Sequence, residues 1–298
     1  SVVGAGAVGC EFADVFNAFG TKVTLVEMLP NILPVEDAEA GAEVARAFKK
    51  RGIEVMTGAR ISNVKVGKTS VMMTVEVGGK KEQLEADKVD AFIASIDALI
   101  DKHGFDGVDV DIEGGSVDET YEPFVTKLAA VVRPKGKVVT SAVGAWFADS
   151  ISDRALWCFD FLNIMSYDYT GSWSEPGDHA SYANAQKDVV YWTSKRNYSR
   201  ARTVLGVPFY GRGWGDQCPL KYASFSAIAA AYPDKTAQDW IAEGECQISF
   251  NGTATMTKKG ALGSEYGGVM IWEVTQDTDD ALLMNALMEG VRAGPAAE

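Results

Sequence analysis

The sequence predicts an α/β fold built on parallel strands, and three observations carry that prediction. Buried-looking strands at 105–113, 137–143, 162–169, 204–210 and 268–274 are mostly separated by helix-length segments, which is the parallel β/α pattern. Residues 1–90 read as βαβαβ followed by a hairpin, with a glycine-rich turn after the first strand. The strand Phe105-Asp106-Gly107-Val108-Asp109-Val110-Asp111-Ile112-Glu113 alternates apolar and acidic residues, so one of its faces carries chemistry.

Taken in order, Val2-Val3 is a short strand running into Gly4-Ala5-Gly6-Ala7-Val8-Gly9. A helix follows with Phe12, Val15, Phe16 and Phe19 on one face, and Gly20 closes it. Lys22–Glu27 is the second strand, Asp37–Arg51 an amphipathic helix, and Ile53–Met56 the third strand. Val71–Val77 and the residues after Gly78-Gly79 form a hairpin. Phe92–Lys102 is helical, and the barrel-like alternation runs from 91 to 298 with an insertion at 214–267. No Pro/Gly/Ser-rich linker separates the halves, because Asp87-Lys88-Val89-Asp90 leads straight into a helix.

Composition narrows the function classes. A net charge of −13 argues against nucleic acid, which needs clustered Lys and Arg. No apolar run approaches the ~20 residues of a membrane span. Cys10, Cys158, Cys218 and Cys246 lie far apart, which gives no zinc, redox or disulfide framework. His103 and His179 are the two histidines, too few for a histidine triad or multi-histidine metal site. The opening Ser1-Val2-Val3 reads as mid-strand, so a cut or incomplete N-terminus is expected, and no signal peptide is visible.

In the acidic strand, Asp109, Asp111 and Glu113 share one face, while Val108, Val110 and Ile112 point the other way. Converging carboxylates raise at least one pKa and leave a protonated acid near neutral pH. Glu113, last in the strand, would sit nearest the C-terminal mouth of a β/α barrel. Asp109-x-Asp111-x-Glu113-Gly114 also looks like the start of a calcium loop, but loop positions nine and twelve would be Val117 and Thr120, which are poor ligands.

Asp106-Gly107-Val108-Asp109-Val110-Asp111-Ile112-Glu113 resembles the signature of glycoside hydrolase family 18, the chitinases and endo-β-N-acetylglucosaminidases. Met165-Ser166-Tyr167-Asp168-Tyr169, Gly206-Val207-Pro208-Phe209-Tyr210-Gly211 and Gly267-Gly268-Val269-Met270-Ile271-Trp272-Glu273 resemble that family's sixth, seventh and eighth strands, in order. The resemblance implies a (β/α)8 TIM-type barrel and retaining, substrate-assisted hydrolysis of a β-1,4-linked N-acetylglucosamine oligosaccharide, either a chitin-type polymer or an N-glycan core. It implies Glu113 as proton donor, Asp111 as orienter of the acetamide and Asp109 as proton-sharing partner. Tyr167 would bond the acetamide, Met165, Asp168 and Tyr210 would line the sugar site, and Trp272 would stack beneath it. No cofactor is required for that reaction, and secretion would be usual.

Gly4-x-Gly6-x-x-Gly9 lies between strand and helix, and Glu27 ends the next strand. Such glycines permit a tight turn and pyrophosphate approach, with the acid on a ribose hydroxyl. Residues 1–90 resemble the NAD-binding segment of dihydrolipoamide dehydrogenase, from Val2 to Leu84-Glu85-Ala86-Asp87-Lys88-Val89. That implies Gly4, Gly6, Gly9 and Glu27 as cofactor-binding residues for NAD. The family's redox cysteine pair has no counterpart, and the alternative explanation is a glycine turn kept for packing.

The family 18 resemblance supplies strands four to eight of a barrel, and the dihydrolipoamide dehydrogenase resemblance supplies three strands that could run parallel. A hybrid closed barrel, an open Rossmann-like unit beside an incomplete barrel, and a join of unrelated pieces are the architectures this leaves. Three functions follow: a sugar hydrolase, an NAD-binding module with an inactive sugar site, or a composite chain without activity.

Overall fold

The computed structural model describes all of the chain except residues 19–21, 67–69, 88, 217 and 295–298. Phe19 and Gly20, expected at the end of the first helix, lie outside the described residues, as does Lys88. Two compact units are present, Ser1–Phe105 and Asp106–Glu298. The helix at 92–102, expected with the second half, falls in the first unit. No helix among the described residues is long and apolar enough to cross a membrane.

In the first unit, β1 (Val2–Val3), α1 (Ala7–Ala18), β2 (Thr24–Val26), α2 (Ala38–Lys50) and β3 (Glu54–Met56) alternate as expected. The three strands form a parallel sheet in the order β1-β2-β3. Leu25, Ala5, Ala13, Ile53 and Phe48 pack its core. The Asp37 carboxylate caps α2 by accepting the Glu39 N–H at 2.8 Å, and Lys49 and Lys50 oppose the helix dipole at its other end. An antiparallel sheet follows, made of β4 (Ala59–Val66), β5 (Ser70–Val77) and β6 (Lys80–Asp87). The hairpin at Gly78-Gly79 is the expected one; β4 was not expected, and its mixture of Arg60, Ser62, Asn63 and Lys65 explains why. Helix α3 (Val89–His103) closes the unit.

The second unit contains β7 (Gly107–Val110), α4 (Tyr121–Val132), β8 (Val138–Val143), α5 (Asp153–Leu156), β9 (Leu162–Ile164), α6 (Tyr182–Val190) and β10 (Thr203–Pro208). Then come β11 (Tyr210–Trp214), β12 (Tyr222–Ser224), α7 (Phe225–Ala231), β13 (Trp240–Glu243), β14 (Cys246–Ser249), α8 (Thr253–Ser264), β15 (Val269–Trp272) and α9 (Leu282–Ala293). Five of these strands form one parallel sheet in the order β15-β10-β9-β8-β7. This is the sequential neighbour pattern of a (β/α) barrel. Among the described residues, the parallel strands form one sheet of three and one sheet of five.

Two boundaries are corrected. The insertion is an antiparallel sheet, β12-β11-β14-β13, beginning at Tyr210 and ending at Ser249. Helix α8, placed by the sequence within the insertion, is the ordinary β/α element before β15. A disulfide joins Cys218 to Cys246, with Cα atoms 4.6 Å apart. Its partners are 28 residues apart, and only the folding of the insertion brings them together.

Candidate active site

The acidic strand is shorter than its alternation suggests. β7 ends at Val110, whose register partner on β8 is Ser141, and Asp111 and Glu113 follow just beyond the ladder. The sequence expects an enclosed acidic face, but Asp109, Asp111 and Glu113 are all open to solvent on one side. They nevertheless line one cavity of about 1060 Å³ at the C-terminal ends of the five strands. Met165, Tyr167, Asp168, Tyr210 and Trp272 line the same cavity, so every residue expected of the sugar site converges there. Met165, Tyr167 and Tyr210 are buried in its wall, while Trp272 is 50% exposed at the end of β15.

The carboxylates differ in surroundings. Asp109 Oδ1 accepts a hydrogen bond from Thr140 Oγ1 on β8, and another from Asn163 Nδ2 on β9 at 3.1 Å. Partial desolvation in the cavity, with the Asp109 charge next, pushes the Asp111 carboxyl above the usual range. Glu113 is raised too, by desolvation first and then by the charges of Asp111 and Asp168. A hydrogen bond between Asp111 and Glu113 raises Glu113 and lowers Asp111. The site therefore holds two carboxyls raised by their surroundings, the condition that favours a proton donor.

Asp168 behaves oppositely. Burial would raise it, but contacts from His179 and a forked pair of bonds from Arg212 outweigh burial and hold its carboxyl at about 2. Arg212 Nε and Nη2 each lie 2.8 Å from a different Asp168 oxygen. The Arg212 guanidinium is packed among the rings of Tyr222, Trp173 and Tyr210 at 4.8, 5.0 and 5.3 Å. Asp168 itself has φ of 61°, an unusual conformation for a residue other than glycine.

Sequence reasoning missed Arg212, Trp146, Trp173, Asn163 and Tyr222, all of which line the cavity. Arg212 follows directly on Tyr210-Gly211, but only the return of β11 across the strand ends shows that it meets Asp168. Two tryptophans share a local device. In Gly144-Ala145-Trp146 and in Gly171-Ser172-Trp173, a β-carbon on the glycine would stand 2.5 Å from the indole. Each indole thus lies against bare backbone, and Trp146 and Trp173 are 53% and 61% exposed.

The glycine turn of the first unit lies elsewhere. A β-carbon on Gly9 would stand 1.9 Å from Gly4 O, so Gly9 is required by helix–strand packing. Gly4 and Gly6 face open space. Glu27 is 7% exposed, and its two oxygens accept the N–H groups of Ala5 and Leu29 at 2.7 Å each. Those amides, joined by that of Met28, outweigh burial and hold its carboxyl below the usual range. The carboxylate expected on a ribose is thus spent on tying the turn to the end of β2. Its engagement does not fit the ribose role.

A parallel β/α unit with a carboxylate-lined cleft at the C-terminal ends of its strands is the class that fold and site define. The family model for glycosyl hydrolases family 18 matches residues 42–277, and the chain belongs to that family. A second family model, pyridine nucleotide-disulphide oxidoreductase, matches residues 1–81. Among curated proteins, the chain is 34% identical over 158 residues to a dihydrolipoyl dehydrogenase of Mycobacterium leprae, covering 51% of this chain and 34% of that protein. It is 36% identical over 117 residues to that of Rhizobium etli, covering 39% and 24%. The chain thus spans about a third or less of these relatives. Among solved structures, the family 18 chitinase ChiB of Flavobacterium johnsoniae is 25% identical with a TM-score of 0.61, over 98% of this chain and 94% of that one. A chitinase of Bacteroides thetaiotaomicron is 27% identical with a TM-score of 0.57, over 68% of each chain.

Proposed function

We propose that the chain hydrolyses β-1,4-linked N-acetylglucosamine oligomers of the chitin type, with retention and with the substrate's own acetamide as nucleophile. The observation that carries this reading is the raised Glu113 carboxyl beside Asp111 in a cleft that also presents Tyr167 and Trp272. Glu113 gives its proton to the glycosidic oxygen as the bond to the anomeric carbon breaks. The acetamido oxygen attacks that carbon from the opposite face and forms an oxazolinium ion. Asp111 orients the acetamide and balances the charge developing on its nitrogen, with Asp109 behind it and the Tyr167 hydroxyl on the acetamido group. Water then opens the ring and returns a proton to Glu113, which restores the starting state.

The exposed Trp146, Trp173 and Trp272 in one cavity support a chain of sugars more than a single branched core. The reaction needs no cofactor. Hydrolysis of a fluorogenic di-N-acetylchitobioside tests the reading, and Glu113→Gln should lower kcat by about 10²- to 10⁴-fold with little change in KM. A chain that releases N-glycan cores but leaves chitin oligomers intact would move the substrate to the other branch of the family. No cleavage of either by the unmutated chain would reject the hydrolase.

A further inference from the structure

Behind the cleft wall lies a buried residue that the reaction above does not use. His179 is fully buried, and among the described residues neither of its ring nitrogens has a hydrogen-bond partner. An unpaired buried polar group costs about 1–3 kcal/mol, so a residue present only to fill space would be better as phenylalanine. The ring is aimed at the sugar site. Nδ1 lies 3.6 Å from Asp168 Oδ1, and the imidazole packs on Tyr210 with centroids 5.3 Å apart.

The surroundings fix that aim. The His179 N–H donates to Ser249 Oγ at 3.0 Å, and its carbonyl accepts the Tyr169 N–H at 3.0 Å. The next carbonyl, of Ala180, accepts both Lys259 Nζ and Asn251 Nδ2 at 2.8 Å. Asn251 Oδ1 in turn accepts Lys259 Nζ at 2.8 Å. Lys259 is fully buried, an expensive placement for a cation, and burial lowers its amine to about 7. Its amine donates to both of these acceptors. The clasp therefore joins α8 and β14 to the segment that carries the imidazole. The group it faces, Asp168, sits at φ 61° and persists there only if its surroundings hold it.

We propose that His179 is a positioning residue of the sugar site, held by the Lys259–Asn251–Ala180 clasp, which backs Asp168 and Tyr210 and donates Nδ1–H to Asp168 when a sugar occupies the cleft. The proposal rests on the hydrolase reading. A closing of roughly 0.5 Å brings Nδ1 within hydrogen-bond range. The charged groups facing the ring are Asp168, Arg212 on β11 and Lys259 on α8. Burial, then the two cations, keep the imidazole neutral against the pull of Asp168. A neutral donor steadies Asp168 without cancelling the charge that helps Glu113 keep its proton.

The test exploits a chain with two histidines. Imidazole NMR of the whole protein is followed on addition of tri-N-acetylchitotriose, with His103 on α3 as the internal reference. The His179 ring signals should shift while those of His103 stay. His179→Phe, which keeps the packing and removes the nitrogen, should retain or raise Tm and lower kcat by about 10- to 100-fold. His179→Asn, whose amide can stand near Nδ1, should recover part of the loss. Sugar binding seen by tryptophan fluorescence without a His179 shift, or a Phe variant with full kcat, would overturn the positioning role alone. No binding and no cleavage by the unmutated chain would overturn the hydrolase reading and the positioning role with it.

Discussion

At the scale of single residues, the cleft is organised by two carboxyls driven in opposite directions. Glu113 is raised by desolvation and by neighbouring anions, while Asp168 is held at about 2 by its Arg212 and His179 contacts. In the proposed reaction the rate depends on protonated Glu113, so activity should be full below its raised pKa and lost as pH rises through it. Asp168→Asn removes one of the anions that raise Glu113, and the basic limb of the kcat profile should then move to lower pH. Stability follows the other sign. Asp168 has a depressed pKa, so its contribution is present above the unfolded value of about 3.9 and is lost as pH falls through the folded value. Arg212→Leu leaves the carboxylate without its fork and should cost about 1–3 kcal/mol near neutral pH, with a smaller cost near pH 2. Denaturant titrations at several pH values check this; an equal loss at every pH would show that Arg212 matters by packing alone.

At the scale of elements, period-two alternation and apolar runs were enough to locate β7, β8, β9, β10 and β15. Alternation could not tell where β7 stops, because Asp111 and Glu113 continue the pattern after the last ladder pair at Val110. Nor could it show β4, whose polar residues carry no strand signal. The insertion was recognised but misplaced at both ends: β11 follows β10 after a single residue, and α8 has no amphipathic accent to mark it as a barrel helix. The eight residues expected at a sugar site line one cavity, and each sits in a short motif at a strand end. Arg212, Asn163 and Trp146 were not legible in the sequence, because their meaning lies in what faces them across the cleft. The disulfide belongs to the same class. Closing a loop of 28 residues should contribute about 2–4 kcal/mol, so a Cys218→Ser, Cys246→Ser double variant should lose that much in chemical denaturation.

At the scale of the molecule, two compact units meet two family signals that do not share their border. The oxidoreductase match, 1–81, ends within the first unit, whereas the hydrolase match begins at residue 42, inside α2. Separate cores predict separate unfolding. Scanning calorimetry should resolve two transitions, with reductant lowering only the one that contains the Cys218–Cys246 bond. Glu27→Gln should lower only the other, by about 1–3 kcal/mol, because a charged acceptor of backbone amides is lost. Glu27 is held below its usual range, so that contribution should persist above about pH 4.3 and fade on further acidification. A single transition shifted by both changes would mean that the units unfold as one.

The paired glycines under Trp146 and Trp173 suggest where this cleft can be altered. Each indole lies against a glycine that has no methyl group beneath it. Adding that methyl, by Gly144→Ala or Gly171→Ala, would lift an intact aromatic surface off its seat without removing it. In the proposed hydrolase, the length of sugar chain gripped could then be retuned from the backbone while the aromatic side chains stay in place.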